Sequence, residues 1–190
     1  TFEDDGPNAV VDAEATASAK LDESTSDLDG INPGTISAVD IAALFATPDF
    51  GADGEGSVGY TLSAVDGAGT GLWLTGQSGA ANEILLVKVS DTEYEGREGG
   101  TGGPLAFTIE IDGLTGAVTV TQAATLEHTD DGPEGPDHDD ALTLGAAVSV
   151  VQTVTDADGD TDTATSANAL TITFEDDGPN AVVDAEATAS

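Results

Sequence analysis

Residues 1–18 read TFEDDGPNAVVDAEATAS, and residues 173–190 read the same eighteen letters again. The second copy begins 172 residues after the first. Self-similarity at a fixed period is the signature of an array. A period of this length is domain-sized rather than solenoid-sized. The expected organisation is an inter-repeat linker over 1–8, one repeat over 9–175, and a linker plus the start of the next repeat over 176–190. Methionine is absent, including at position 1, as expected of an internal fragment. An array of near-identical domains works by its length, stiffness and surface rather than by one active site.

Charge limits what such a repeat can do. Three basic residues, Lys20, Lys88 and Arg97, face 37 acidic ones, for a formal net charge of −34. Neutralising phosphates takes Lys and Arg, so nucleic acid and direct membrane contact are excluded as partners. Without cysteine there are no disulfides and no thiol chemistry. No apolar run approaches the roughly 18 residues needed to span a bilayer, and no signal-peptide pattern appears. High charge with modest hydrophobicity either leaves a chain disordered or demands bound cations to offset self-repulsion.

The apolar pattern decides for folding. Strict alternation marks strands at Val58–Ala64, Phe107–Ile111, Val118–Thr121 and Leu170–Phe174. Val148–Val154 is a further β-rich run, and Leu72, Trp73 and Leu74 make a short one. Ile84 to Val89 is apolar on both faces apart from Lys88 and reads as a central strand. DGLTG at 112–116 and DADG at 156–159 read as hairpin loops, the latter joining the 148–155 and 161–174 runs. Ser37 with Asp40 resembles a capping box ahead of Ile41–Phe45, with Pro48 as the stop, and predicts one short helix. The expected fold is all-β, an Ig-like antiparallel β-sandwich. Tyr60, Trp73 and Phe107 are expected in its core. Tyr94, in a Gly- and Glu-rich stretch, is the candidate for an exposed aromatic contact. His128 and His138 are expected to be solvated or capping.

The carboxylates fall into clusters. Glu3, Asp4 and Asp5 precede Gly-Pro, and Glu175, Asp176 and Asp177 repeat them. Asp156, Asp158, Asp160 and Asp162 occupy every second position around Gly159. Asp130, Asp131, Asp137 and Asp139 lie in the 127–140 stretch, and Asp53 lies between Asp49 and Glu55. Calcium takes six to eight hard oxygens in flexible geometry, and an Asp-rich turn around Gly supplies several of them. The 156–162 turn is not an EF-hand, because Thr161 and Ala167 stand where the glycine and glutamate of that loop belong. Several Ca²⁺ ions are therefore expected, on Asp4, Asp5, Asp53, Asp130, Asp131, Asp137, Asp139, Asp156, Asp158, Asp160, Asp162, Glu175, Asp176 and Asp177. Solvated loops are the bland alternative for each cluster. Magnesium prefers stricter geometry, and zinc lacks cysteine partners. No GxSxG, Walker or HExxH pattern appears, so no enzyme is expected.

These segments resemble the long repeats of bacterial RTX-type giant adhesins exported by type I secretion, the T1SS-143-like repeat. The similarity lies in FGADGEGSVGYTLS at 50–63, NEILLVKVSDTEYEGR at 82–97, FTIEIDGLTGAVTVTQAATLEHTD at 107–130, VTDADGDTDTAT at 154–165 and FEDDGP at 174–179. The resemblance implies an Ig-like extender domain of a secreted, cell-surface stalk, with calcium at the junctions stiffening it for adhesion and biofilm formation. By motif, the junction ligands would be Asp4, Asp5, Asp176 and Asp177, with the Asp156–Asp162 turn nearby. The repeat is longer than the usual family unit, with the excess expected in 20–48 or 91–104. The expected partners are neighbouring repeats of a monomeric chain. The rivals are a module binding glycans or an ice or mineral surface, and homophilic adhesion. Thr161, Thr163, Thr165, Thr171 and Thr173 form the interrupted ladder that would serve an ice face.

Overall fold

A computed structural model describes residues 6–23, 32–128 and 140–176. Eleven strands and one short helix lie among the described residues. The first part of the chain holds β1 (Ser18–Asp22), β2 (Gly34–Ile36), α1 (Ala38–Ala42) and β3 (Glu55–Ser63). The middle holds β4 (Ile84–Ser90), β5 (Glu93–Glu98), β6 (Leu105–Ile111) and β7 (Val118–Gln122). The last part holds β8 (Ala141–Thr143), β9 (Ser149–Asp156), β10 (Thr161–Thr165) and β11 (Thr171–Glu175). The architecture is an all-β sandwich. One layer is the sheet β2-β7-β6-β5-β4, and the other is made by β10-β9-β3 and β1-β11-β8.

The alternation that predicts strands also builds the core. β9 buries every second residue, and β6 and β7 turn Phe107, Ile109, Ile111, Val118 and Val120 inward. The second layer contributes Leu21, Leu62, Val148, Val150, Ile172 and Phe174. Phe107 and Phe174 meet across the layers with ring centroids 5.1 Å apart, within the favourable range for an aromatic pair. α1 starts where the sequence places it. The Ser37 hydroxyl accepts the Asp40 N–H and donates to the Asp40 carboxylate.

Both predicted hairpin loops form. Residues 112–116 join β6 to β7, where Asp112 Oδ1 accepts the N–H groups of Leu114 (2.9 Å) and Thr115 (2.8 Å). The 156–160 turn joins β9 to β10. The returning run divides into β10 and β11 at 166–170, so it is not one strand. Its hydrogen bonding to the outgoing arm nevertheless continues, from Ser166 N–H to Val150 O, Leu170 N–H to Val148 O, and Leu144 N–H to Ile172 O. Residues 141–175 therefore form one long bent hairpin with the Asp-rich turn at its tip.

The N-terminal segment runs alongside the returning arm in the same direction. Ala9 N–H donates to Asp162, Asn168 donates to Ala13 O and Ala15 O, and Thr171 N–H donates to Ala17 O. β1 then pairs parallel with β11, from Ser18 opposite Thr171 to Asp22 opposite Glu175. This is the exception to an otherwise antiparallel sandwich. It has a geometric consequence. The chain enters beside the Asp-rich tip, the leading pole, and leaves at Glu175, the trailing pole at the opposite end.

Several expectations are corrected. β4 is the last strand of its sheet rather than a central one. Its apolar character is explained by the 67–72 segment lying along its free edge: Gly67 N–H donates to Leu86 O, Leu86 N–H to Ala68 O, Thr70 N–H to Ile84 O and Ile84 N–H to Leu72 O. Leu72–Leu74 is not a strand, and Leu74 makes a single bridge to Leu126. Trp73 is only half-buried, with its indole N–H donating to Gly79 O. Tyr94 is 1% exposed, so it is no surface contact. Its hydroxyl donates to Ala64 O (3.1 Å) and accepts the Ala64 N–H (3.2 Å), pinning β5 to the end of β3. The 91–104 stretch is thus a structural part of the sheet.

Gly56 sits at a β-bulge, where the β3–β9 register shifts between Glu55 and Ser57. A Cβ there would lie 2.3 Å from the carbonyl oxygens of both Thr155 and Asp156. Gly56→Ala is expected to cost at least about 1–3 kcal/mol, the scale of overpacking. Urea unfolding in the presence of chelator measures this, and an unchanged midpoint would show that the two strands part at no cost.

Candidate metal centre

The tip of the long hairpin is built by local hydrogen bonds. Asp156 N–H donates to Asp160 O (3.1 Å), and Asp156 Oδ1 accepts the N–H groups of Gly159 (3.0 Å) and Asp160 (2.8 Å). Gly159 takes φ +104°, which its missing Cβ permits. A second loop is drawn in by β3. Glu55 pairs with Asp156, and Ala157 N–H donates to Gly54 O (3.2 Å). Asp53, three residues before the bulge at Gly56, thereby reaches the turn.

Asp53, Asp156 and Asp158 each offer a carboxylate oxygen, and these oxygens lie within 4.8 Å of one another. Asp53 and Asp158 are exposed, whereas Asp156 is 3% exposed. One buried oxygen stands out: Asp156 Oδ2 has no hydrogen-bond partner. A buried carboxylate oxygen without a partner is costly. The pair beside it titrates unequally. The hydrogen bond to Asp156 pushes the Asp158 carboxyl up, and burial and the Asp156 charge push it further. Burial works to raise Asp156 as well. The Asp158 side chain and the amides of Asp160, Gly159 and Asp158 outweigh it and hold Asp156 below the usual carboxylate range. Two adjacent carboxyls pushed in opposite directions form a site that retains one proton or takes a cation in its place. The donors fit calcium: hard oxygens from two loops, two of the three carboxylates open to water, and a buried Asp156 oxygen that receives no N–H and faces only the neighbouring carboxyls.

Not every predicted ligand joins this group. Asp160 contributes its amide to the turn. Asp162 Oδ2 accepts the Ala9 N–H at 2.8 Å, so it holds the entering segment. Glu175 is paired with Lys20 at 2.5 Å. Asp176 lies at the trailing pole, grouped with Glu23 and His128. Asp4, Asp5, Asp130, Asp131, Asp137, Asp139 and Asp177, like His138, lie outside the described residues.

Sequence reasoning missed Glu23 and misplaced His128. His128 is 5% exposed, neither solvated nor a cap. A signal existed in the alternation. Ala19 and Leu21 point inward from β1, and the next residue on that face is Glu23. Leu126 points inward, and two residues on stands His128. The threonines of β10, Thr161, Thr163 and Thr165, are exposed together with Thr171, but the 166–170 interruption separates them.

The chain belongs to the family described as Domain of unknown function (DUF5801), whose model matches residues 14–168. The matched span contains Asp53, Asp156, Asp158, Glu23 and His128. No curated protein matches the chain, and neither does any solved structure.

The unequal titration sets a pH dependence for the metal-free protein. The folded-state pKa of Asp158 is raised, so its contribution to stability is present below the ordinary aspartate value and lost as pH climbs through the raised one. Asp156 is the reverse, contributing above the ordinary value and losing it as pH falls through the lowered one. Asp158→Asn is therefore expected to melt higher than the parent at neutral pH in chelator, with the two converging in acid where Asp158 carries its proton. Calorimetric melts across that range check it; a lower neutral-pH midpoint for the variant would contradict the assignment.

Proposed function

We propose that this DUF5801 unit is a calcium-stabilised structural repeat of an extracellular bacterial stalk. It serves as an extender that projects a distal adhesive domain from the cell surface, and it does no enzymatic work. Asp156 carries this reading: a buried carboxylate with an orphaned oxygen, held within 4.8 Å of two further carboxylates, in a chain of net charge −34. Two other features support it. The parallel pairing of β1 with β11 sends the chain in at one end and out at the other, as an end-to-end rod requires. The duplicated eighteen residues are what a further unit beginning where this one ends would show.

The same chemistry suits export. Where calcium is scarce, the carboxylates repel and the fold is weakened, which favours keeping the chain unfolded during secretion. Where calcium is millimolar, the repulsion is cancelled and the unit folds and stiffens. Modules of this kind bind at about 10⁻⁴–10⁻³ M.

The ion binds the folded state alone, so 10 mM calcium is expected to add about 1.4–2.7 kcal/mol per site over chelator. Asp156→Asn should abolish most of that gain at the turn. Thermal melts of the chain in calcium and in chelator read it directly. Small-angle scattering of a two-unit protein tests the stalk, which should shorten and bend on calcium removal. Identical melts and identical lengths in both conditions would defeat the proposal.

A further inference from the structure

The trailing pole holds a cluster of different chemistry. Glu23 follows β1, Asp176 follows β11, and His128 lies beyond the bridge that Leu126 makes to Leu74. One ligand atom from each lies within 4.8 Å of the others. Glu23 is 9% exposed, His128 is 5% exposed, and Asp176 is half-buried, which leaves one open side. Glu23 is held in place: its Oε1 accepts from Gln122 Nε2 (2.5 Å) and from the Leu126 N–H (2.7 Å).

His128 is the unexplained member. Neither Nδ1 nor Nε2 has a hydrogen-bond partner, although the ring is buried. Buried imidazoles normally have their nitrogens satisfied. Nε2 approaches Glu23 Oε1 only to 3.5 Å, longer than an ordinary hydrogen bond and an ion pair only when the ring is protonated. That separation suits two ligands of one ion. Donors about 2.0–2.1 Å from a tetrahedral zinc lie about 3.3–3.4 Å from each other. Charge agrees as well, since two carboxylates and a neutral imidazole cancel a dication.

We infer that Glu23, His128 and Asp176 form a binding site for a zinc-class divalent ion, separate from the calcium turn. The imidazole nitrogen selects against calcium and magnesium, which take oxygen donors. Water on the open side beside Asp176 completes the coordination. Occupancy ties Asp176, the first residue past β11, to Glu23 and His128 of the domain body. The consequence is a trailing strand whose exit direction is fixed by a second metal.

The test is calorimetric titration of the full chain with Zn²⁺ in excess calcium, with Co²⁺ absorption reporting the coordination. One saturable Zn²⁺ is expected, with a tetrahedral Co²⁺ spectrum. His128→Gln and Asp176→Asn should each weaken binding at least about tenfold, the lower end of what even an outer-shell partner is worth. Asp158→Asn should leave zinc affinity unchanged while weakening calcium, so the two sites fail independently. Asp176 is half-exposed, so Asp176→Asn carries the test should His128→Gln not fold. Absence of saturable uptake, uptake indifferent to both substitutions, or uptake lost in Asp158→Asn would each overturn the assignment.

Discussion

Repulsion among carboxylates governs this molecule. Opposite signs are too scarce to offset it: three basic side chains serve a chain of 37 acidic ones. Each of the three is engaged locally, Lys20 with Glu175, Lys88 with Asp91 and Arg97 with Glu95. The fold must therefore hold like charges near one another by other means. A closely packed two-layer core does part of this, with Phe107 against Phe174 at its centre and Tyr94 locking β5 to β3. Backbone amides do another part, by turning toward carboxylates in the Asp112 and Asp156 turns. What remains falls at the two poles, where backbone pairing forces carboxylates from separate segments together. Those are the places where an external cation would offset the most repulsion.

The parts of the fold that depend on period and turn chemistry were legible in the sequence. β3, β6, β7 and β11 follow from alternation, β9 follows from a β-rich run, both hairpin loops follow from Asp-Gly signals, and α1 follows from Ser37 and Asp40. The parts that depend on tertiary neighbours were not. β4 reads as central because its apolar first half, Ile84–Val87, is buried or half-buried and its outer edge is covered there, and the cover is a loop that pairs with it without forming a strand. Tyr94 sits among Gly and Glu, which read as loop, yet Gly96 is needed because the ring of Phe107 fills the space beside it. β2 and β8 are three-residue strands that no window can distinguish from loop.

The candidate metal centre was half legible for a similar reason. Spacing identified Asp156 and Asp158, since a turn with Asp at alternate positions presents its own oxygens. Spacing could not choose among Asp160, Asp162 and Asp53. The choice is made by a β-bulge at Gly56, which slides Asp53 to the turn, and by the parallel entering segment, which claims Asp162 through the Ala9 amide. Glu23 and His128 lie on inward-facing positions of segments that looked ordinary. Only the assembled sandwich brings them to Asp176.

The repeat gives the two poles a shared meaning. Ala181 is the counterpart of Ala9 in the second copy, five residues beyond Asp176. Five residues span at most about 18 Å, little more than two Debye lengths at physiological ionic strength. In an array, the linker thus limits how far the trailing pole of one unit can lie from the leading pole of the next, and both poles are acidic. Unscreened, that seam would favour any geometry that holds the poles apart, and the joint would be loose and extended. With cations seated at the turn and beside Asp176, the repulsion at the same seam is reduced and the linker's first residue is fixed to the body behind it. On the proposed function, rigidity in such a chain would be a property of the solution as much as of the sequence, set by ions at positions that the hydrophobic core keeps fixed.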